Sequence, residues 1–141
     1  MVAAGRGADG AAAELQVIHL PLDESSGDPF QGWIVERTVA LIGELRELVL
    51  ADSDRVIRIA IVVTAAAQDD DWRAAAADGL CEAVRGVVGS LTLEQGPRLR
   101  LNAVIAEAAE HDEVRETLVF LSSAEADFVA GSTFDLRHAQ S

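Results

Sequence analysis

The sequence predicts an α/β domain of three layers, in which about four mainly parallel strands carry helices on both faces. Short apolar runs alternate along the chain with longer amphipathic segments, and one of the runs is apolar almost throughout. The 141 residues suffice for one compact domain. Half of the residues are hydrophobic and a quarter are charged, so buried apolar surface can offset the chain entropy lost on folding.

Order is expected to begin near residue 14. Residues 1–13 are mostly Gly and Ala without a periodic apolar pattern, which predicts a flexible tail in front of a domain spanning 14–141. Leu15–Leu20 is a short apolar run that ends at Pro21 and precedes an acidic loop, as expected for a strand. In Trp33–Leu50 apolar residues recur every three or four positions, which predicts a helix with one broad buried face.

The middle of the chain predicts a central strand followed by a long helix. Val56–Thr64 is β-branched and nearly continuous in apolar character apart from Arg58, which is typical of a strand covered on both faces. In Trp72–Leu93 small and apolar residues occupy most of the helix circumference. A helix of this kind packs on more than one side.

The last third of the chain completes the alternation of strands and helices. We expect a strand over Leu99–Ile105, a helix over Asp112–Leu121 and a short strand over Phe134–Leu136. The order β-α-β-α-β-α-β indicates a parallel sheet with right-handed crossovers.

Charge and composition exclude several classes of function. A formal net charge of -13 repels nucleic acid and anionic membrane surfaces. No apolar run approaches the ~20 residues that span a bilayer, and the start lacks the order of a signal peptide, so we expect a cytoplasmic protein. Cys81 is the only cysteine, and the histidines lack metal-binding spacing. No metal site is therefore predicted; the three histidines are His19, His111 and His138.

Three motifs in the second half resemble one known family. Arg100–Val104 reads RLNAV, residues 116–123 read ETLVFLSS and residues 128–133 read FVAGST. This order resembles the short-chain dehydrogenase/reductase family, whose members carry an R-V-N-A-V strand, a helix ending in F-L-x-S and a T-G-x-x strand start. The likeness covers roughly residues 15–136 and implies a truncated, Rossmann-like fold that corresponds to the C-terminal half of the family's domain.

The resemblance also implies what is missing. The family's first three strands, with the glycine-rich turn that holds a dinucleotide pyrophosphate, have no counterpart, and a 13-residue tail leaves no room for them upstream. No cofactor or cofactor-binding residue is therefore predicted. The strand that starts the domain is expected to be an exposed sheet edge, protected by Pro21, the acidic loop, and a partner or the tail.

The family's catalytic residues are replaced in this sequence. The reaction needs a tyrosine as general acid/base, a lysine four residues later and a serine. The sequence contains no tyrosine, and alignment on Ser90 and Leu91 places Ala77 at the tyrosine position and Cys81 at the lysine position. The end of the preceding strand places Thr64 or Ala65 at the serine position. The resemblance therefore predicts a pseudoenzyme, a protein that is not an enzyme by itself.

The long helices are predicted to form an interface, because the family pairs these helices with the same helices of a second subunit. The expected partner is a full-length short-chain dehydrogenase in an oxidoreductase complex, or a second copy of the chain. The predicted interface residues are Leu41, Leu45, Leu48, Ala76, Leu80, Ala83, Val84, Val87 and Leu91.

Two alternatives to a non-catalytic subunit stay open. One is a homodimeric module that binds a small ligand at the carboxyl ends of the strands, without redox activity. The other is an enzyme of unrelated chemistry that uses Thr64 or the acidic run Asp69, Asp70 and Asp71. The same acidic run is explained at least as well by its position before a helix, where negative charge favours the helix dipole.

Overall fold

The computed structural model describes residues 14–21, 32–51, 55–66 and 71–137. Each helix and strand predicted from the sequence is present, with ends that shift by one or two residues. The predicted tail over 1–13 lies outside the described residues, as do Asp69, Asp70 and His138. The elements are β1 (Leu15–Pro21), α1 (Gly32–Ala51), β2 (Ile57–Thr64), α2 (Asp71–Gln95), β3 (Leu99–Ala106), α3 (Asp112–Ser122) and β4 (Thr133–Asp135), with short 3-10 turns at Gly96–Arg98 and Ala124–Ala126.

The four strands form one parallel sheet in the order β1-β2-β3-β4, which confirms the predicted fold class. The pairing of β2 with β3 runs without a break from Ile57 opposite Leu99 to Thr64 opposite Ala106. Both central strands are buried along almost their whole length. Burial on both faces explains why their sequences are nearly continuous apolar runs rather than alternating ones.

Helices cover both faces of the sheet. On one face α1 and α2 pack through Leu45, Leu80 and Val84 onto alternate side chains of the strands, such as Ile59 and Leu101. On the other face α3 covers the intervening side chains. Successive side chains of a strand point to opposite faces of the sheet, so Ile59 and Ile61 of β2 lie toward α1 and α2, whereas Ala60 and Val62 lie toward α3. The residues of this second, smaller core are Leu15, Ala60, Val62, Val104, Ala106, Val114, Leu118, Leu121 and Ala126.

Arg58, the one charged residue of β2, is buried on the α3 face with 3% of its surface exposed. Its guanidinium donates hydrogen bonds to the carbonyl oxygens of Leu121, at 2.9 Å, and Ser123, at 2.7 Å. It also forms an ion pair with the Asp127 carboxylate. Arg58 thus satisfies the carbonyl groups at the end of α3, which the helix itself leaves without partners.

Among the described residues, β1 and β4 are the two edges of the sheet. No helix in the described ranges is long and apolar enough to cross a membrane. A cytoplasmic location stays a prediction.

Candidate functional site

The three positions that align with the family's catalytic residues lie on β2 and α2. Thr64 is the last residue of β2 and is half-buried at the carboxyl end of the sheet. Ala77 and Cys81 lie one helical turn apart on the amino-terminal half of α2. Cys81 is 1% exposed and belongs to the core between α2 and the sheet. Burial raises the pKa of its thiol, so the sulfur stays protonated at neutral pH and is a poor nucleophile.

A cluster of charges next to these positions escaped the sequence analysis. The Arg137 guanidinium bridges two carboxylates, with Nη1 3.0 Å from Asp78 of α2 and Nη2 2.8 Å from Asp135 of β4. Arg85 of α2 approaches the same Asp135 carboxylate at 3.3 Å. The cluster therefore ties the segment after β4 to α2, beside Cys81. Its only sequence signal is the spacing of Asp135 and Arg137, since nothing in the sequence places Asp78 next to them.

The electrostatics of the cluster follow from these contacts. Hydrogen bonds donated by the Arg137 side chain lower the pKa of Asp135 from 3.8 to about 2. The same bonds raise the pKa of Arg137. At neutral pH both groups are charged and paired, so the cluster is suited to holding two elements together rather than to transferring a proton.

The motifs that carried the family resemblance have structural roles. Asn102 is buried, and its amide donates to the Val129 carbonyl at 3.1 Å and accepts from the Ser132 backbone N–H at 3.0 Å. Gly131 has a φ of 76°, a conformation that favours glycine. A Cβ at Gly131 would lie 3.4 Å from Thr92 Cγ2 of α2. The RLNAV strand and the AGS turn therefore fix the entry of the chain into β4.

Metal-ligand geometry is absent from the described ranges, which contain no group of three or more His, Cys, Asp or Glu side chains able to hold an ion. The acidic run at 69–71 lies outside these ranges except for the backbone of Asp71, the first residue of α2. The alternative that uses this run therefore stays a prediction, as does a small ligand at the carboxyl ends of the strands.

The outer surface of α1 and α2 carries a groove with a volume of about 600 Å³. Ile42 and Leu50 line it from α1, and Ala83, Val87 and Leu91 line it from α2. Three large apolar side chains on the same helices are mostly exposed: Val39 at 62%, Leu50 at 77% and Leu93 at 86%. Helical spacing places Val39 on the stripe of Ile42 and Leu50, and Leu93 one turn after Ser90, which also lines the groove. We define the α1–α2 face as Val39, Ile42, Leu50, Ala83, Val87, Leu91 and Leu93.

The structure separates the predicted interface residues into two groups. Those on the sheet-facing side of each helix are buried in the chain's own core and keep almost no surface for a partner; they are Leu41, Leu45, Ala76, Leu80 and Val84. Leu48, Ala83, Val87 and Leu91 are half-buried. Apolar periodicity does not distinguish the two sides, because the helices are apolar toward the sheet and toward the groove alike. Contact of any of these residues with a partner stays a prediction.

Comparison with known proteins shows similarity at the level of structure. No protein-family model and no curated protein matches the sequence. The chain is similar to the crystal structure of YwfH, an NADPH-dependent reductase involved in bacilysin biosynthesis, with 14% identity and a TM-score of 0.61 over 86% of this chain and 65% of that one. It is also similar to the enoyl-[acyl-carrier-protein] reductase (NADH) from Aquifex aeolicus VF5, with 19% identity and a TM-score of 0.61 over 89% and 61% of the two chains.

A third structure, described as a short-chain dehydrogenase from Escherichia coli CFT073, matches with 23% identity and a TM-score of 0.50 over 77% of this chain and 47% of that one. The chain has the fold of the short-chain dehydrogenases. This confirms the resemblance inferred from the RLNAV and AGS motifs. The chain spans about half to two thirds of the length of the solved structures that it matches.

The comparisons contradict the prediction that the chain is not an enzyme. Two of the solved structures with this fold are an NADPH-dependent reductase and an NADH enoyl-[acyl-carrier-protein] reductase. The prediction was wrong because it inferred the absence of activity from missing parts, namely the first three strands and the tyrosine and lysine replaced by Ala77 and Cys81, whereas the fold is one that enzymes carry.

Proposed function

We propose that the chain is a subunit of a short-chain dehydrogenase/reductase assembly and docks through its α1–α2 face onto the same helices of a complete dehydrogenase. The observation that carries the proposal is the groove between α1 and α2, whose lining is mostly apolar and includes exposed Leu50, together with exposed Val39 and Leu93 beside it. Full burial of one such side chain is worth about 1.5–3 kcal/mol. Exposed apolar surface concentrated on one face is typical of a protein interface.

The small residues on the outer side of α2 support a close helix contact. Gly86 and Gly89 have open space where a Cβ would point, so another backbone can approach there without displacing a side chain. Leu93 lies on the same side of α2, and Leu50 lies across the groove on α1. The surface therefore combines room for a second helix with apolar side chains that such a helix would bury.

The activity proposed for the assembly is NAD(P)H-dependent reduction, by analogy with the reductases that share the fold. Within the assembly this chain would contribute its α1–α2 face and its sheet. The substrate is left open, because no described side chain singles out a substrate class.

The test is complex formation between the full chain and the complete short-chain dehydrogenases of the same organism, followed by sedimentation velocity and native mass spectrometry. We expect a stoichiometric complex, and we expect the double variant Leu50→Arg, Leu93→Arg to abolish it. Both side chains are largely exposed, so the double variant should fold normally. Val119→Arg is the matched control, because Val119 is an exposed apolar residue on α3, at 57%.

Activity gives the second readout. NADPH or NADH oxidation by the mixture should depend on the unmodified chain and on Val119→Arg equally, and should drop to the level of the dehydrogenase alone with the double variant. An unmodified chain that stays separate from the dehydrogenase at micromolar to millimolar concentrations, or a complex that survives both arginines, would refute the proposal.

A further inference from the structure

The outer edge of β1 is a surface that the proposed function does not use. Among the described residues β1 pairs with β2 alone. That pairing is continuous over seven residues, from Leu15 opposite Arg58 to Pro21 opposite Thr64, without a bulge. The other side of the strand therefore presents a regular row of backbone N–H and C=O groups.

Within the described residues, this edge lacks the usual protection against pairing with another chain, and the tail and acidic loop that were predicted to protect it lie outside those residues. Natural edge strands carry charged side chains, bulges or an internal proline. The seven residues LQVIHLP contain no charge, and the proline comes last. The adjoining segments are poor strand formers by composition, because residues 1–13 are mostly Gly and Ala and residues 22–31 contain Gly, Pro and three acidic residues. These compositions favour a strand from outside the chain as the partner of β1.

We propose that a second copy of this chain pairs with β1 in antiparallel fashion, so that two four-stranded sheets join into one of eight strands. A two-fold axis normal to the sheet at Ile18 places Ile18 opposite its own copy, Gln16 opposite Leu20 and Val17 opposite His19. Each opposed pair lies on the same face of the joined sheet, and no like charges meet across the contact.

The helix beside β1 has charges that fit the same symmetry. Arg37 lies on the β1 side of α1, since its Nη1 donates to the Pro21 carbonyl oxygen at 2.9 Å. Glu44 follows two turns later on the same stripe of α1. The proposed two-fold axis sets the two α1 helices side by side in opposite directions, with the stripe of Arg37 and Glu44 on one copy turned toward the same stripe on the other. A stripe that carries one positive and one negative side chain is complementary to its own copy in the opposite direction, which favours a second copy over an arbitrary strand.

The test introduces charges at Val17 and His19, which oppose each other across the proposed contact. All chains also carry Leu50→Arg and Leu93→Arg, so that association through the helices is removed. With Val17→Lys and His19→Lys, lysine opposes lysine in both symmetric pairs. With Val17→Lys and His19→Glu, lysine opposes glutamate in both. Sedimentation equilibrium should show a dimer for the chain with native β1 and for the Lys/Glu variant. For the Lys/Lys variant the dimer dissociation constant should be at least about tenfold higher.

Two results would overturn the proposal. One is a monomer at all concentrations when β1 is native, and the other is an equal dimer dissociation constant for the Lys/Lys and Lys/Glu variants. Circular dichroism melting establishes that the variants fold. If Lys/Lys does not fold, hydrogen exchange on the chain with native β1 decides the matter, because backbone amides of β1 should become less protected on dilution only if the strand is paired with a copy. Since every chain in this experiment lacks the apolar helix face, its outcome is independent of the docking proposed above.

Discussion

At the scale of single residues, Arg137 has the clearest role, because it holds β4 against α2. Its side chain is 17% exposed and contacts carboxylates from two elements, Asp78 and Asp135. Cys81 lies close enough to be influenced by the same charges, although burial is the main reason for its raised pKa. A surface-exposed ion pair contributes little to stability, and a mostly buried bidentate one contributes more. We therefore expect the Asp135 contact to dominate the stability of this corner.

Replacing Arg137 by Gln should destabilise the protein by about 1–2 kcal/mol at neutral pH, as judged from urea unfolding. Because folding lowers the pKa of Asp135 to about 2 from 3.8, this stabilisation is present above pH 3.8 and is lost as the pH falls toward 2. Arg137→Gln should return the pKa of Asp135 toward its ordinary value, measured by NMR titration of its carboxyl carbon.

Asp78→Asn is the matched control for that measurement. The Asp78 side chain is 68% exposed, so removing its charge should change the free energy of unfolding by less than about 0.5 kcal/mol. An Asp135 pKa that stays near 2 in the Arg137→Gln variant would show that another group, such as Arg85, stabilises the carboxylate.

The order and type of the helices and strands could be predicted from the sequence, because the burial of each element produces a regular pattern of apolar residues along it. The nearly unbroken apolar run of β2 required cover on both faces, and α1 required one apolar face. The roles of Arg58 and Arg137 could not be predicted in this way. Their partners, Asp127 and Asp78, lie 69 and 59 residues away along the chain. Contacts over such separations depend on the sheet order and on loop paths, which periodicity does not encode.

At the scale of elements, Asn102 links β3 to the segment that leads into β4, and its loss should destabilise that segment. Asn102→Ala removes the two bonds to Val129 and Ser132 and leaves those backbone groups without their partner. We expect a loss of about 1–3 kcal/mol in the free energy of unfolding and faster hydrogen exchange at the Ser132 amide. Thr117→Ala is a suitable control, since the Thr117 hydroxyl donates to the Glu113 carbonyl within α3. Unchanged exchange at Ser132 would argue against the proposed role of Asn102.

At the scale of the whole molecule, the dominant electrostatic property is the excess of acidic groups. Lys and Arg number 11 against 24 Asp and Glu. Several of the basic residues are engaged with backbone carbonyls, as Arg58 is with Leu121 and Ser123 and Arg100 is with Asp127 and Pro97. These arginines keep their charge when they bond to carbonyl groups, but the acidic groups still outnumber the basic ones by about two to one. The folded state therefore carries net self-repulsion, which salt relieves.

Thermal stability should consequently increase with ionic strength. Between about 0.01 M and 1 M NaCl the screening length falls from about 30 Å to about 3 Å, and we expect Tm to rise by about 2–5 °C. The triple variant Glu36→Gln, Glu47→Gln, Glu116→Gln removes three exposed acidic charges and should start at a higher Tm with a smaller response to salt. Calorimetry at several NaCl concentrations measures both effects. A Tm that falls with salt would mean that screened ion pairs, such as Arg137 with Asp135, outweigh the repulsion. If the variant shows the same rise in Tm with salt, the rise comes from the apolar core, because salt also strengthens the burial of apolar surface.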